Sequence, residues 1–275
     1  MKLKKLYNHD NKKQIWRILP TTNKKIVLEE RDATTKEVFF SCIDIESGKK
    51  IFNQFQMDEK NWIGIETIYN DLIFFHAYGK PDMPTHKSII AFDMSSKKTL
   101  WQNDNYVFAL VNEDKVYCYQ QRFENRVYFA LDCLTGNVVE ELGNDVSILN
   151  QLKEKLDKEF WKQNYLFPEY FNRNENGEEL HHKYLSQVLS DKVIKGEVSY
   201  LKIENILLFN YHEVAKNNTY TNVFISVDLI KNKILLEEIL DKNLVNLMPE
   251  SFFVKDNFLF LIVDKTKLFV YQIKD

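Results

Sequence analysis

SIIAFDMSSKKTLW, residues 88–101, decides the fold. An apolar strand runs into Asp93, four turn-forming residues follow, and a second strand ends on Trp101. Asp sits where its carboxylate can accept the N–H groups of its own turn, the usual reason for Asp at such a position. The frame recurs in FFSCIDIESGKKIF (39–52), VYFALDCLTGNVVE (127–140) and FISVDLIKNKILL (224–236). KLYNHDNKKQIW (5–16) fits it as a fifth copy, with Asn8 replacing the aspartate and Trp16 matching Trp101. A catalytic acid is needed once. Repetition therefore identifies Asp44, Asp93, Asp132 and Asp228 as turn residues, and Trp16, Phe52 and Trp101 as packing between repeats.

A second hairpin type lies between these. IYNDLIFFHA (68–77), LVNEDKVYCY (110–119), KIENILLFNY (202–211) and FVKDNFLFLI (253–262) each set Asn, Asp or Glu between two apolar strands, with TTNKKIVLEE (21–30) a weaker member. Asn and Asp tolerate the left-handed backbone that tight hairpins require, which suits a chain with only 7 glycines. The two hairpins alternate strictly. Together they make four antiparallel strands, A to D, recurring at the spacing of a propeller blade.

The expectation is all-β: one domain over residues 1–275, a five-bladed β-propeller with blades near 17–55, 62–103, 105–142, 197–240 and 250–275. The last blade lacks its fourth strand and the N-terminal copy leaves QIWRI without a blade, so an N-terminal strand closes the ring and removes an exposed edge. KKLYN (4–8) and KLFVYQI (267–273) both fit strand C of that blade. Asp132 to Asp228 spans about two periods with a single A–B hairpin between them. The excess, 144–195, reads as a helical insertion between blades 3 and 4. Leu149, Leu152, Leu156 and Phe160 recur at helical steps, as do Leu180, Tyr184, Leu185, Val188 and Leu189. Six or seven blades are the alternative.

The motif apolar-x-Asp-x-x-Thr-Gly-x-x-x-Trp resembles the blade signature of the quinoprotein (pyrroloquinoline-quinone) propellers. Asp132 to Gly136 carries its turn but ends on Glu140; Asp44 and Gly48 lead to Phe52; Asp93 has Trp101 without the glycine. The resemblance implies the fold. The vicinal cysteine pair that the quinoprotein dehydrogenases place over their cofactor is absent from the sequence, so no cofactor is expected. PDMPTHKSIIAFDMSSKKTLW with IWRILP is similar to an uncharacterised bacterial family of this length, which implies a propeller and no known activity.

Composition narrows the partners. The net charge is −3, with acidic and basic residues dispersed, so nucleic acid is not an expected partner. No apolar run reaches the length of a membrane span, and the charged N-terminus has no signal-peptide core. Three cysteines without CxxC spacing fit reduced thiols, pointing to the cytoplasm.

Loops of one class open on one end of a propeller, so the singular polar residues gather at the B–C/D–A end: Arg31, His76, Arg122 and His212. The blade 2 loop, HAYGKPDMPTH, adds Asp82 and His86. These six are the ligand-binding candidates. Histidines ten residues apart match no strong metal-ligand spacing, and no metal is expected. Adjacent His181 and His182 diverge on a helix and read as solvated or packing residues. Glu29, Glu30 and Glu66 are the carboxylates a glycosidase-like pair would draw on. GxSxG, HExxH, P-loop and GxGxxG motifs are all absent. The expected function is a non-catalytic module binding a protein or small molecule through the B–C/D–A end; the alternative is a hydrolase or lyase at the propeller mouth.

Overall fold

The computed structural model describes residues 2–80, 83–161, 165–172 and 178–274. Its strands are β1 (Lys2–Asp10), β2 (Gln14–Pro20), β3 (Lys25–Arg31), β4 (Val38–Asp44), β5 (Lys50–Phe55) and β6 (Ile63–Tyr69). Next come β7 (Leu72–Lys80), β8 (Met83–Asp93), β9 (Lys98–Asn103), β10 (Val107–Asn112), β11 (Lys115–Gln121), β12 (Arg126–Asp132) and β13 (Val138–Gly143). Helix α1 (Ser147–Trp161), the short β14 (Tyr165–Leu166) and β15 (Glu169–Tyr170), and α2 (Leu180–Val188) follow. The chain ends with β16 (Ile194–Ile203), β17 (Ile206–Val214), β18 (Tyr220–Asp228), β19 (Lys233–Leu244), β20 (Phe252–Lys255), β21 (Phe258–Val263) and β22 (Lys267–Lys274). Among the described residues no helix is long and apolar enough to cross a membrane.

The fold is all-β: antiparallel sheets of four or five strands, consistent with a propeller-like arrangement. Two compact units divide the chain, residues 13–162 and residues 1–12 with 163–275. The first unit holds the sheets β2–β5, β6–β9 and β10–β13, each in sequence order. The second holds β15-β16-β17-β18-β19 and β1-β22-β21-β20-β14.

The alternating hairpins form where the repeats place them. Four A–B connections are two-residue loops, as the pairs Tyr69↔Leu72, Asn112↔Lys115, Ile203↔Ile206 and Lys255↔Phe258 show. Asn70, Glu113, Asp114, Glu204 and Asp256 take positive φ there, the strand-matching turn geometry. In the C–D turns each Asp carboxylate accepts backbone N–H groups two and three residues on: Asp93 from Ser95 (3.2 Å) and Ser96 (2.8 Å), Asp132 from Leu134 (3.1 Å) and Thr135 (2.8 Å), Asp228 from Ile230 (3.1 Å) and Lys231 (3.0 Å). Asp44 holds Ser47 in the same way, at 2.8 Å. The fourth residue after each Asp is left-handed: Gly48, Lys97, Gly136 and Asn232.

The N-terminal copy folds differently from the expectation. β1 pairs with β22 and runs past Asn8, which faces Phe269. Asp10, not Asn8, accepts the turn N–H, from Lys12 at 2.9 Å. QIWRI is not the spare strand; it opens β2, paired with β3. Residues 5–16 thus connect two sheets rather than forming a C–D hairpin, and of the two candidates for strand C, β22 is C and β1 is the fourth strand. Trp16 consequently sits on a first strand, half exposed, and not in the packing position of Trp101.

Both faces of the inner sheets are apolar. Ile73, Phe75, Ile90 and Phe92 pack towards Val27, Phe40 and Phe52 of the β2–β5 sheet. Leu72, Phe74, Ile89 and Ala91 pack towards Val116, Cys118, Phe129 and Leu131. The predicted helices form, and they lie on sheet faces. Leu149 and Leu152 of α1 cover Tyr117, Tyr128 and Ala130, and Lys155 pairs with Glu113 at the A–B turn (3.2 Å). Leu185 of α2 and the following Leu189 cover Phe209, Tyr211, Val223 and Ile225. The aromatic stretch between the helices contributes β14 to the edge of β20 and β15 to the edge of β16. The side chains of Phe160 and Trp161 lie outside the described residues.

Trp101 interlocks two sheets. Its indole N–H donates to Cys133 O (2.8 Å), and its ring lies where a Cβ on Gly136 would stand, 2.6 Å from Cδ2. Gly136→Ala therefore adds a left-handed penalty to a clash, and should cost about 2–4 kcal/mol in denaturant unfolding. Lys97→Gly at the equivalent turn relieves about 1–2 kcal/mol of left-handed strain against ~0.4–1 kcal/mol of unfolded-chain entropy, and should stabilise. Equal and opposite shifts are not required, but a destabilising Lys97→Gly would show that the turn geometry is misassigned.

Candidate functional site

The site grows from an irregularity in β6. Ile65 pairs with Phe75 and Thr67 with Phe74, so Glu66 is an extra, unpaired residue. Such a bulge re-aims a side chain out of the regular alternation. Gly64 pairs directly with His76, and a Cβ there would lie 2.9 Å from its Cε1 and Nε2. The glycine has ordinary backbone geometry, so its role is space for the imidazole. On the other side, β8 carries its own bulge, between Ile90 and Lys87, with Ser88 at φ 63°. This brings His86 opposite Tyr78 and diagonal to His76.

The two imidazoles stack, centroids 3.5 Å apart and planes within 7°. Tyr78 meets both rings edge-on, at 4.8 and 5.6 Å. His86 Nδ1 is 2.7 Å from Glu66 Oε1; His76 Nδ1 is 3.2 Å from the same oxygen without hydrogen-bond alignment. His76 is 1% exposed, and neither ring nitrogen has a hydrogen-bond partner among the described residues. Burial pushes the Glu66 carboxyl up, but the imidazoles of His76 and His86 outweigh it and hold the group below its ordinary range.

A carboxylate–guanidinium pair adjoins this cluster. Glu29, 1% exposed, accepts Arg31 Nη2 (2.9 Å) and the N–H of Ile65 (3.2 Å), while Arg17 donates to Ile65 O. The strand that positions Glu66 is thus clamped from the β2–β5 sheet. Arg31 stacks over Trp16, 4.3 Å from the ring. Glu30 accepts Ser41 Oγ (2.7 Å), and Glu29, Glu30 and Glu66 each have hydrogen-bond partners of their own.

Of the six candidates, the structure brings His76 and His86 together. Arg31 joins them through Glu29 and the backbone of Ile65. Arg122 is exposed at the β11–β12 turn, its N–H bonded to Asn125 O (2.9 Å). His212, on β17 in the other unit, is buried; its Nε2 accepts the N–H of Met248 (3.1 Å), and desolvation holds its pKa down. Asp82 lies outside the described residues. His181 and His182 sit edge to face at 4.6 Å beside Tyr200, a packing arrangement. Cys42, Cys118 and Cys133 are free and buried, and desolvation pushes each thiol up to about 12.

Comparisons with known proteins add the following. A family model described as a domain of unknown function, DUF4905, matches residues 19–101, a span that contains Glu29, Arg31, Glu66, His76 and His86. That match is to a domain of unknown function and not to a quinoprotein. No curated protein matches the chain. Among solved structures, a complex of KlAtg21 with the coiled-coil of AgAtg16 is similar at 9% identity and a TM-score of 0.30, covering 91% of this chain and 67% of that one. Kluyveromyces lactis Hsv2 is similar at 10% identity and 0.27, covering 99% and 75%.

Gly64→Ala tests the local construction. The methyl must displace the His76 ring, costing about 1–3 kcal/mol by overpacking. It should also unstack His86, read as loss of the ring-current shift on its Hε1 and Hδ2 proton signals. Unchanged histidine signals together with unchanged stability would refute the packing described.

Proposed function

We propose that this chain is a single-domain, five-bladed β-propeller acting as a non-catalytic binding module that takes a small polar ligand at the B–C/D–A end of its sheets. The blade order is supported by five sheets of the same four-strand plan. Pairing of β1 with β22 supports closure, because the N-terminus then covers an edge the C-terminal strand would expose. Free, buried thiols support a reducing, cytoplasmic setting.

One observation carries the binding reading: the two ends of the sheets treat their charges differently. At the C–D turns every repeated carboxylate is consumed by its own backbone. At the other end, Glu29, Arg31, Glu66, His76 and His86 are gathered next to one another and held largely by each other. Buried ionisable groups gathered outside the turns are what a pocket for a polar ligand uses. A hydrolase or lyase reading needs His76, Asp82, His86, Arg122 and His212 around one point; within residues 13–162 the imidazoles of His76 and His86 meet while Arg122 is exposed on another hairpin, and His212 Nε2 is taken by the N–H of Met248.

A panel of charged metabolites screened by two-dimensional amide NMR tests the proposal. Binding compounds should move the amides of Arg31, Gly64, Ile65, Glu66 and His76 and be recovered unchanged. Arg31→Ala should weaken them about tenfold, the loss of one charge-assisted contact. Shifts confined to the Asp turns, a panel that leaves the named amides unmoved, or turnover of a bound compound would each overturn it.

A further inference from the structure

We infer that Glu66, His76 and His86 form a binding site for one divalent transition-metal cation of the zinc class. The inference rests on the ligand-binding reading of this end of the sheets and names a ligand for it. Each residue offers one donor atom, and the three lie within 4.8 Å of one another. Two imidazoles and a carboxylate are the donor set of zinc and its first-row neighbours, not of calcium or magnesium, which take oxygen ligands.

Independent support comes from His76. Its ring is 1% exposed, its Nδ1 lies 3.2 Å from Glu66 Oε1 without hydrogen-bond alignment, and its Nε2 has no hydrogen-bond partner among the described residues. An imidazole buried in that way costs about 1–3 kcal/mol unless something else takes its lone pair. Three features of the backbone maintain the arrangement: the Glu66 bulge, the bulge opposite His76 on β8, and the glycine opposite the ring. Parallel stacked rings do not aim both lone pairs at one point. An ion therefore requires the His86 ring, which is 35% exposed, to turn off His76, while the buried ring and Glu66 stay in place. Three protein donors leave a coordination position for water or for a polar ligand of the module, as in open zinc sites.

The full chain, stripped with chelator and dialysed, is titrated with Zn²⁺ by calorimetry, and with Co²⁺ by visible absorption. The expected result is one ion per chain and an intense tetrahedral-type cobalt band. Glu66→Gln and His86→Ala should still fold cooperatively without metal, at a somewhat lower unfolding temperature because each removes a contact to His76, and lose at least about a hundredfold in affinity, more than the usual loss for a group behind a ligand. His182→Gln should bind as the parent does. Absence of stoichiometric binding to the parent, or retention of it in both His86→Ala and Glu66→Gln, overturns the inference. Metabolite shifts at Arg31 and Ile65 without metal would leave the binding-module reading standing alone.

Discussion

A sheet with two apolar faces must be covered twice, and the rest of this structure follows from that requirement. β7 places Leu72 and Phe74 on one face and Ile73 and Phe75 on the other, all buried. Each such side chain withdrawn from water contributes about 1.5–3 kcal/mol, so an uncovered face is far more costly than any turn. Within residues 13–162 the covers are neighbouring sheets and, outermost, helix α1. In the other unit α2 covers one face of the β16–β19 sheet, and the β20–β22 sheet the opposite one. With both faces occupied, polar side chains within the sheets must pair with one another, as Asn210, Asn222 and Ser251 do, and most other polar groups gather towards the strand ends.

The two ends then diverge for a backbone reason. C–D turns need one left-handed residue and an acceptor for two or three N–H groups, a demand that is the same in each repeat. Asp44, Asp93, Asp132 and Asp228 meet it, with Gly48, Lys97, Gly136 and Asn232 four residues on. Asn and Gly are the usual occupants of that backbone region; Lys97 occupies it because the acceptor and the flanking strands already fix the turn. The B–C connections have no shared backbone demand. Their lengths and residues differ, and this freedom leaves them available for function.

Hairpins and turn aspartates were legible because their causes are local: a period of two, a turn residue and an acceptor. Helices α1 and α2 were legible for the same reason, through Leu149 and Leu152 and through Leu185 and Leu189. Their destination was not, since periodicity gives an apolar stripe without saying which surface covers it. The N-terminal copy misled because KLYNHDNKKQIW satisfies the C–D frame locally, while the pairing of β1 with β22 depends on residues more than 250 positions away. Within the site, His76 and His86 stood out as histidines on one hairpin. Glu66 appeared only as a dispersed carboxylate, because a bulge changes the side on which a residue emerges and sequence alternation assumes that none is present.

Glu66 becomes intelligible once the first strands are aligned by their bulges. In β2 the extra residue is Trp16, in β6 Glu66 and in β10 Ala109. The residues on the second strands next to these bulges are Arg31, His76 and Tyr119, paired with Gln14, Gly64 and Val107. One backbone device thus presents three chemistries: a guanidinium over an indole, an imidazole beside a carboxylate, and a tyrosine capped from its own hairpin by Arg126 at 4.5 Å. Only the middle one removes its polar ring from water without giving both nitrogens a partner. A bulge kept in all three sheets is a requirement of strand geometry, whereas its contents are free to vary. The Glu66–His76 pair is therefore an addition to the bulge and not part of it, and burying it carries a desolvation cost that the strand geometry does not offset.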